Sequence, residues 1–343
     1  MAQKKRQDAG LAKLKKELSE NNLGNLYLFY GEEDYLRDYY IQQAQKKLLT
    51  EGMETFNLHQ FQGKELDIQT LADCVDTLPM MSQRTMILVY DYDLFENESR
   101  RDRLEQMFQD LPEYVCLIFV YDLLPYKSGG NTKLGKLLKK VATVVEFQPQ
   151  QQSDLNAWIR RHCKALGKEI DNSTAEYLTF VCGGLMTNLG GEIQKVGSYA
   201  AGSKITRADI DAVATPVLDA KVYELSKAVA ARNFDQAALV LGELYQMNEE
   251  PIMILAVLAG QLRQMWSARL ALESGKGQGY VADLWKLRSS WQAGNLMRSA
   301  RQFDLKWCRN AVALAAETDL AMKSTGIDRE ELLTDLLLKL AAG

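Results

Sequence analysis

The chain has 343 residues, 47% hydrophobic and 25% charged, an ordinary balance for a soluble globular protein with room for two or three cores. Its net charge of −4 excludes nucleic-acid binding through the field of the whole molecule, so such a partner would have to meet local basic patches. Five scattered cysteines without a CxxC pair, and only two histidines, argue against a disulfide framework, a histidine-rich metal site and a conventional triad.

The amino terminus is basic (Lys4, Lys5, Arg6), but LAKLKKELSEN follows with no apolar core, so no leader is expected. LYLFYG (26–31) reads as a strand and a turn, and EEDYLRDYYIQQAQKKLLTEG as a helix. Its acidic start and basic end suit the helix dipole. TFNLHQF (55–61) is a second candidate strand, and IQTLADCVDTL (68–78) a helix. TMILVYD (85–91) and VCLIFVYD (115–122) are continuous apolar runs of the kind buried on both faces of a parallel sheet, and ATVVEF (142–147) closes the series. Strands separated by helical segments imply βαβ crossovers, hence an α/β domain with a layered parallel sheet.

After Phe147 the character changes. QPQQQS (148–153) is a polar hinge, and almost everything beyond it has helical periodicity. SDLNAWIRRHCKALG is expected to start with Ser153 as N-cap and to close at Gly167. DNSTAEYLTFVCGG, LGGEIQKVGSYAAG and TRADIDAV supply further short helices, and TPVLD (215–219) marks another boundary. Six long helical segments follow; in the last, Leu332, Leu333, Leu336, Leu337 and Leu340 share one stripe. The longest apolar run, IMILAVLAG (252–260), is half the roughly 18 residues a spanning helix needs, so no membrane partner is expected. The expected organisation is an α/β domain (1–147), then two all-α domains (148–214 and 215–343).

Three places invite a nucleotide reading. GGNTKLGKL (129–137) sets Gly130, Gly135 and Lys136 at phosphate-loop spacing, but Leu137 stands where a metal-binding Ser or Thr belongs, and the preceding strand ends too early. The first strand-turn-helix offers Gly31-Glu32-Glu33-Asp34, whose carboxylates would repel phosphate. TMILVYDYD resembles a Walker-B strand ending in Asp91, with Tyr92 where a catalytic Glu would stand. The architecture of a nucleotidase is expected, without cofactor or metal.

LYLFYGEEDYLRDYY, TLPMMSQRTMILVYD, DLNAWIRR, GGLMTNLGGEIQKV, VYELSKAVAARNFDQAALVLGEL, EEPIMILAVLAGQLRQ and AAETDLAMKSTGIDREELLTDLLLKL together resemble the delta subunit of bacterial DNA polymerase III, a clamp-loader component. The resemblance spans nearly the whole chain in order. It implies a degenerate AAA+ module (1–147), a helical lid (148–214) and a helical collar that mediates assembly (215–343). It also implies a cytoplasmic, replisome-associated protein without ATP binding or catalysis of its own. The implied partners are the sliding clamp (beta), ATPase gamma/tau-type and delta-prime-type loader subunits, and primed DNA.

Matched residue by residue, the clamp grip falls on Leu78, Pro79, Met80 and Met81, ahead of Ser82, Gln83 and Arg84. From pattern alone, two methionines before a buried strand read as core. Pro79 opposes that by stopping the helix, and with the resemblance the pair reads as an exposed apolar wedge. KSGGNTKLGKLLKK carries Lys127, Lys133, Lys136, Lys139 and Lys140 with no acid, and WIRRHCKALGK carries Arg160 and Arg161. Each is either a solvated helix face or a contact to DNA phosphates. Trp266, Trp285, Trp291 and Trp307 are core candidates, one of which could stack on a base. Two rival readings remain: a P-loop ATPase of the AAA+ class, and a stand-alone nucleic-acid-binding regulator, for which no helix-turn-helix signature is present.

Overall fold

The computed structural model describes residues 2–287 and 290–342. The chain separates into two compact units: residues 1–149 with 185–187, and residues 150–184 with 188–343.

In the first unit, α1 (Ala2–Ser19) leads to β1 (Leu26–Tyr30), α2 (Asp34–Leu48), a single turn α3 (Glu54–Asn57) and β2 (Leu58–Gln62). α4 (Ile68–Asp76), β3 (Thr85–Tyr90), α5 (Glu98–Gln109), β4 (Val115–Val120), α6 (Lys133–Val141) and β5 (Thr143–Glu146) follow. The five strands are parallel in the order β2-β3-β4-β1-β5. This is the layered parallel sheet that the strand pattern predicts.

Alternation along the strands feeds two cores. Leu26, Leu28, Ile87, Val89, Leu117 and Phe119 pack with residues of α4, α5 and α6 on one face; Tyr27, Phe29, Met86, Leu88, Cys116 and Ile118 pack with α1 and α2 on the other. β4 is buried along its whole length, hence its unbroken apolar run. TFNLHQF is strand only from Leu58 onward. Its first residues instead form α3, where Asn57 Nδ2 donates to the Met53 carbonyl one turn back. α5, ESRRDRLEQMFQ, shows no clear apolar stripe because among its described side chains Leu104 and Phe108 alone are fully buried hydrophobics, with Met107 half-buried beside them.

The second unit is all helical. α7 (Gln152–Ala165), α8 (Asn172–Cys182), α9 (Met186–Tyr199, whose first two residues count with the first unit) and α10 (Arg207–Val213) come first. α7 starts one residue before Ser153 and its N-cap is Gln151, without a side-chain cap bond. Ser153 is therefore inside the helix: Gln151 is already extended, and its carbonyl accepts from Asp154 and Leu155. Gly167 does close α7: its N–H donates to the Lys164 carbonyl and that of Lys168 to Cys163, a Schellman end. Asp171 caps α8, and Thr206 with Asp209 forms a capping box on α10.

Next come α11 (Leu218–Ala230), α12 (Phe234–Gln246), α13 (Pro251–Glu273), α14 (Gln278–Trp285), α15 (Ser290–Ala300), α16 (Leu305–Ser324) and α17 (Arg329–Ala342). They share one core, to which the α17 stripe contributes Leu333, Leu336, Leu337 and Leu340, with Leu332 half-buried beside it. α14 went unread because Val281 alone among its eight residues is fully buried. Trp307 is buried and stacks on Phe303 at 3.9 Å, while Trp266 and Trp285 pack at the core's edge. The side chain of Trp291 lies outside the described residues. Among the described residues no helix is long and apolar enough to cross a membrane.

Candidate functional site

α4 stops at Asp76, and Thr77 turns the backbone to an extended conformation ahead of Pro79. The loop that follows exposes its apolar side chains: Leu78 is 72%, Met80 52% and Met81 75% accessible, with Pro79 half-buried beneath them. Met80 and Met81 are surface residues, not core.

The backbone under those side chains is held from two directions. Asn57, fully buried, accepts from the Met80 N–H at 2.7 Å and donates to the Met80 carbonyl at 2.8 Å, bonding that residue as a neighbouring strand would. Its Nδ2 also reaches Ser82 Oγ at 3.2 Å. Thr50 Oγ1 donates to the Met81 carbonyl at 3.1 Å, and the Thr50 N–H donates to Ser82 Oγ at 3.2 Å. Met81 sits at φ +55°, a left-handed conformation that a non-glycine residue keeps only where its surroundings over-determine it. Arg84 turns inward, donating to the carbonyls of Leu23, Gly24 (2.9 Å) and Val115 (2.7 Å), and so ties the start of β3 to the starts of β1 and β4. The arrangement is a rigid platform carrying a flexible, polarizable apolar tip. Asn57 and Thr50 went unnoticed in the sequence. A lone Asn inside an apparent strand was the available signal for the first, and nothing marked the second.

Asn57→Ala removes both bonds to Met80, which are part-buried, and empties a fully buried side-chain site. It is expected to lower stability by about 1–3 kcal/mol, read as a fall in urea midpoint with an unchanged m-value.

The nucleotide-like positions are occupied by the protein itself. Gly31 has φ +127°, and a Cβ there would stand 2.2 Å from the Phe147 carbonyl oxygen, so the turn after β1 is pressed onto the end of β5. Glu33 is completely buried, and its carboxylate accepts from the Met186 N–H at 3.1 Å. Desolvation outweighs that hydrogen bond, and with Asp34 adjacent pushes the Glu33 carboxyl up to about 7. Asp91 faces backbone amides of the segment after β4. In GGNTKLGKL, Thr132 caps α6 by accepting from Gly135 N–H, and Lys139 donates to the Gly130 carbonyl; Leu134 and Leu138 are buried and Leu137 half-buried. This is an amphipathic helix with its own cap.

The basic candidates divide between the units. Lys133, Lys136, Lys139 and Lys140 are exposed along α6, with Lys127 in the loop before it. Lys127 is already paired with Asp93 at 2.6 Å. That carboxyl, partly desolvated but bonded to Lys127 and the Phe95 N–H, is held below its ordinary range. Arg160 and Arg161 are exposed on α7 of the second unit.

The fold and its loops define a class: an α/β module with a five-stranded parallel sheet, whose strand-end loops are tied by its own side chains, joined to a helical part. The comparisons narrow this. Residues 27–148 match the model of the DNA polymerase III delta subunit, and residues 219–340 that of its C-terminal domain. The chain is 27% identical over 334 residues to DNA polymerase III subunit delta of Bacillus subtilis (strain 168), covering 95% of each chain. It is 20% identical over 260 residues to a probable DNA polymerase III subunit delta of Aquifex aeolicus (strain VF5), covering 73% of this chain and 72% of the other. Among solved structures, the Bacillus subtilis DNA clamp loader delta protein (YqeN) superposes with a TM-score of 0.51 at 24% identity, covering 96% of this chain and 99% of the other. The chain belongs to the DNA polymerase III delta subunit family.

Proposed function

We propose that this chain grips the sliding clamp (beta) through Leu78, Met80 and Met81 and holds the clamp's interface open for loading onto primed DNA. The observation that carries this reading is the anchored loop: three apolar side chains displayed on a backbone fixed by Asn57 and Thr50, in a chain of the delta family. A ligand shifts a ring between closed and open only by binding the open form better. An apolar tip on a rigid mount can do that, because little order is lost when it enters a groove.

In this reading residues 148–214 act as the lid and 215–343 as the collar that joins the gamma/tau-type and delta-prime-type subunits. Lys133, Lys136, Lys139, Lys140, Arg160 and Arg161 meet DNA phosphates without reading sequence. The protein works in the cytoplasm, at the replisome. It neither binds nor hydrolyses ATP: the buried Glu33 and the close approach of Gly31 to Phe147 leave an acid where phosphate would need amides and a lysine.

The test uses the purified full chain. Immobilised clamp should retain it in a saturable manner, and magnesium-ATP at millimolar concentration should leave its melting temperature unchanged. Failure to bind the clamp sinks the main reading. An ATP-dependent rise in melting temperature that disappears in Lys136→Ala would restore the ATPase reading and the GGNTKLGKL loop with it.

A further inference from the structure

Asp91 directly follows β3, at a position where a nucleotide-binding module would use a carboxylate on its metal ion. Here the group is engaged otherwise. Its Oδ1 accepts from three successive backbone N–H groups, those of Asp122 (2.9 Å), Leu123 (2.8 Å) and Leu124 (2.9 Å), while Asp91 itself is held at φ +53°. Amides converging on one oxygen form an anion nest, and the segment after β4 is folded around it.

The same segment is tied at two further points. Arg37, buried in α2, donates from Nη1 to Asp122 at 2.9 Å, and also pairs with Asp34 at 2.9 Å and Asp38 at 3.2 Å. Tyr126 stacks on Tyr30 with ring centroids 4.3 Å apart. Between these anchors Leu123 projects into solvent with 87% of its surface accessible, more than any other large apolar side chain described, and Leu124 and Pro125 lie exposed beside it.

We propose that Leu123 and Leu124 form a second protein-docking tip, and that its occupant is an apolar pocket rimmed by lysine or arginine on a neighbouring clamp-loader subunit. Three features carry this. A leucine held out on a backbone that is already ordered is suited to binding, since association need not fix the loop. Three half-exposed carboxylates share one buried guanidinium beside the tip, and this surplus negative charge favours a basic rim and repels nucleic-acid phosphate. All five strands run parallel, so this tip stands at their C-terminal edge, whereas the 78–81 loop precedes β3 at the N-terminal edge. A clamp gripped at one end of the sheet leaves the other end to a different partner. The choice of a loader subunit rests on the function proposed above.

The experiment compares the full-length wild type with the double variant Leu123→Asp/Leu124→Asp. Each is mixed with purified ATPase-type and delta-prime-type loader subunits, association is followed by size exclusion at rising sodium chloride, and clamp binding is measured in parallel. The wild type should enter the complex, with affinity falling as salt screens the acidic rim. The double variant should lose at least tenfold in affinity for the loader subunits, with melting temperature and clamp binding unchanged. Asp91→Asn, whose side-chain carbonyl still accepts from the nest, should keep most of the association, and Asp91→Ala should not. Equal affinity of the double variant and the wild type overturns the docking tip, as does parallel loss of clamp binding. A wild-type chain that binds neither loader subunits nor clamp overturns the proposed function itself.

Discussion

Replacing Met80 and Met81 together by alanine is expected to weaken clamp binding by roughly 2–4 kcal/mol, about thirtyfold to nearly a thousandfold in dissociation constant. Interfaces concentrate their energy in a few side chains that become fully buried on binding, and this pair supplies most of the apolar area that the loop displays. Folding should be nearly indifferent to the change: both side chains are more than half exposed, and surface substitutions of this kind stay within about 0.5 kcal/mol. Two buried methionines cut to alanine would instead lower stability by about 2–5 kcal/mol each. Lost binding at a constant melting temperature supports the grip, and undiminished binding places it elsewhere. Met81→Gly adds an internal control. It relieves the left-handed strain at φ +55° and should raise the melting temperature slightly while still weakening the clamp complex.

The second large effect concerns Glu33. Its carboxyl is raised from 4.5 to about 7 in the folded protein, with desolvation the main cause. Folding therefore favours the protonated form. The sign follows: the contribution of Glu33 to stability is greatest below about pH 4.5, where the acid is largely neutral in both states, and falls as pH rises toward 7, where the folded chain must hold a buried charge. At 1.36 kcal/mol per pKa unit the penalty above pH 7 is on the order of 3 kcal/mol. Glu33→Gln keeps an acceptor for the Met186 N–H and removes the charge. It should leave stability at pH 4.5 unchanged and raise it at pH 8 by up to that amount. Chemical denaturation of both proteins at the two pH values measures this. A variant less stable than the wild type at pH 8 would mean that the ionised carboxylate is a net stabilising partner of the Met186 N–H.

Most of the strands and long helices were legible in the sequence, and the reason is periodicity. β1, β3 and β4 are buried on both faces and so read as unbroken apolar runs, while α17 shows its stripe because one side alone meets the core. The elements that escaped carry little burial. α5 gives two fully buried side chains to the core, α14 gives one, and α3 is a single turn set by the Asn57 side chain. A pattern exists only where burial imposes it.

The exposure of Met80 and Met81 was also legible, through Pro79 and the resemblance at TLPMMSQRTMILVYD, although from pattern alone methionines before a buried strand suit a core as well as a surface. The sequence by itself determined most of the strand content, the helical second half and the family, because all of these depend on local residue type and spacing. Tertiary structure alone decided that Asn57 and Thr50 hold the backbone beneath Met80 and Met81, and that Asp91 organises the Leu123 loop. Those bonds join residues 23 to 33 positions apart. Whether a side chain meets a partner at such a separation is set by how strands and loops pack together, and no local pattern encodes it.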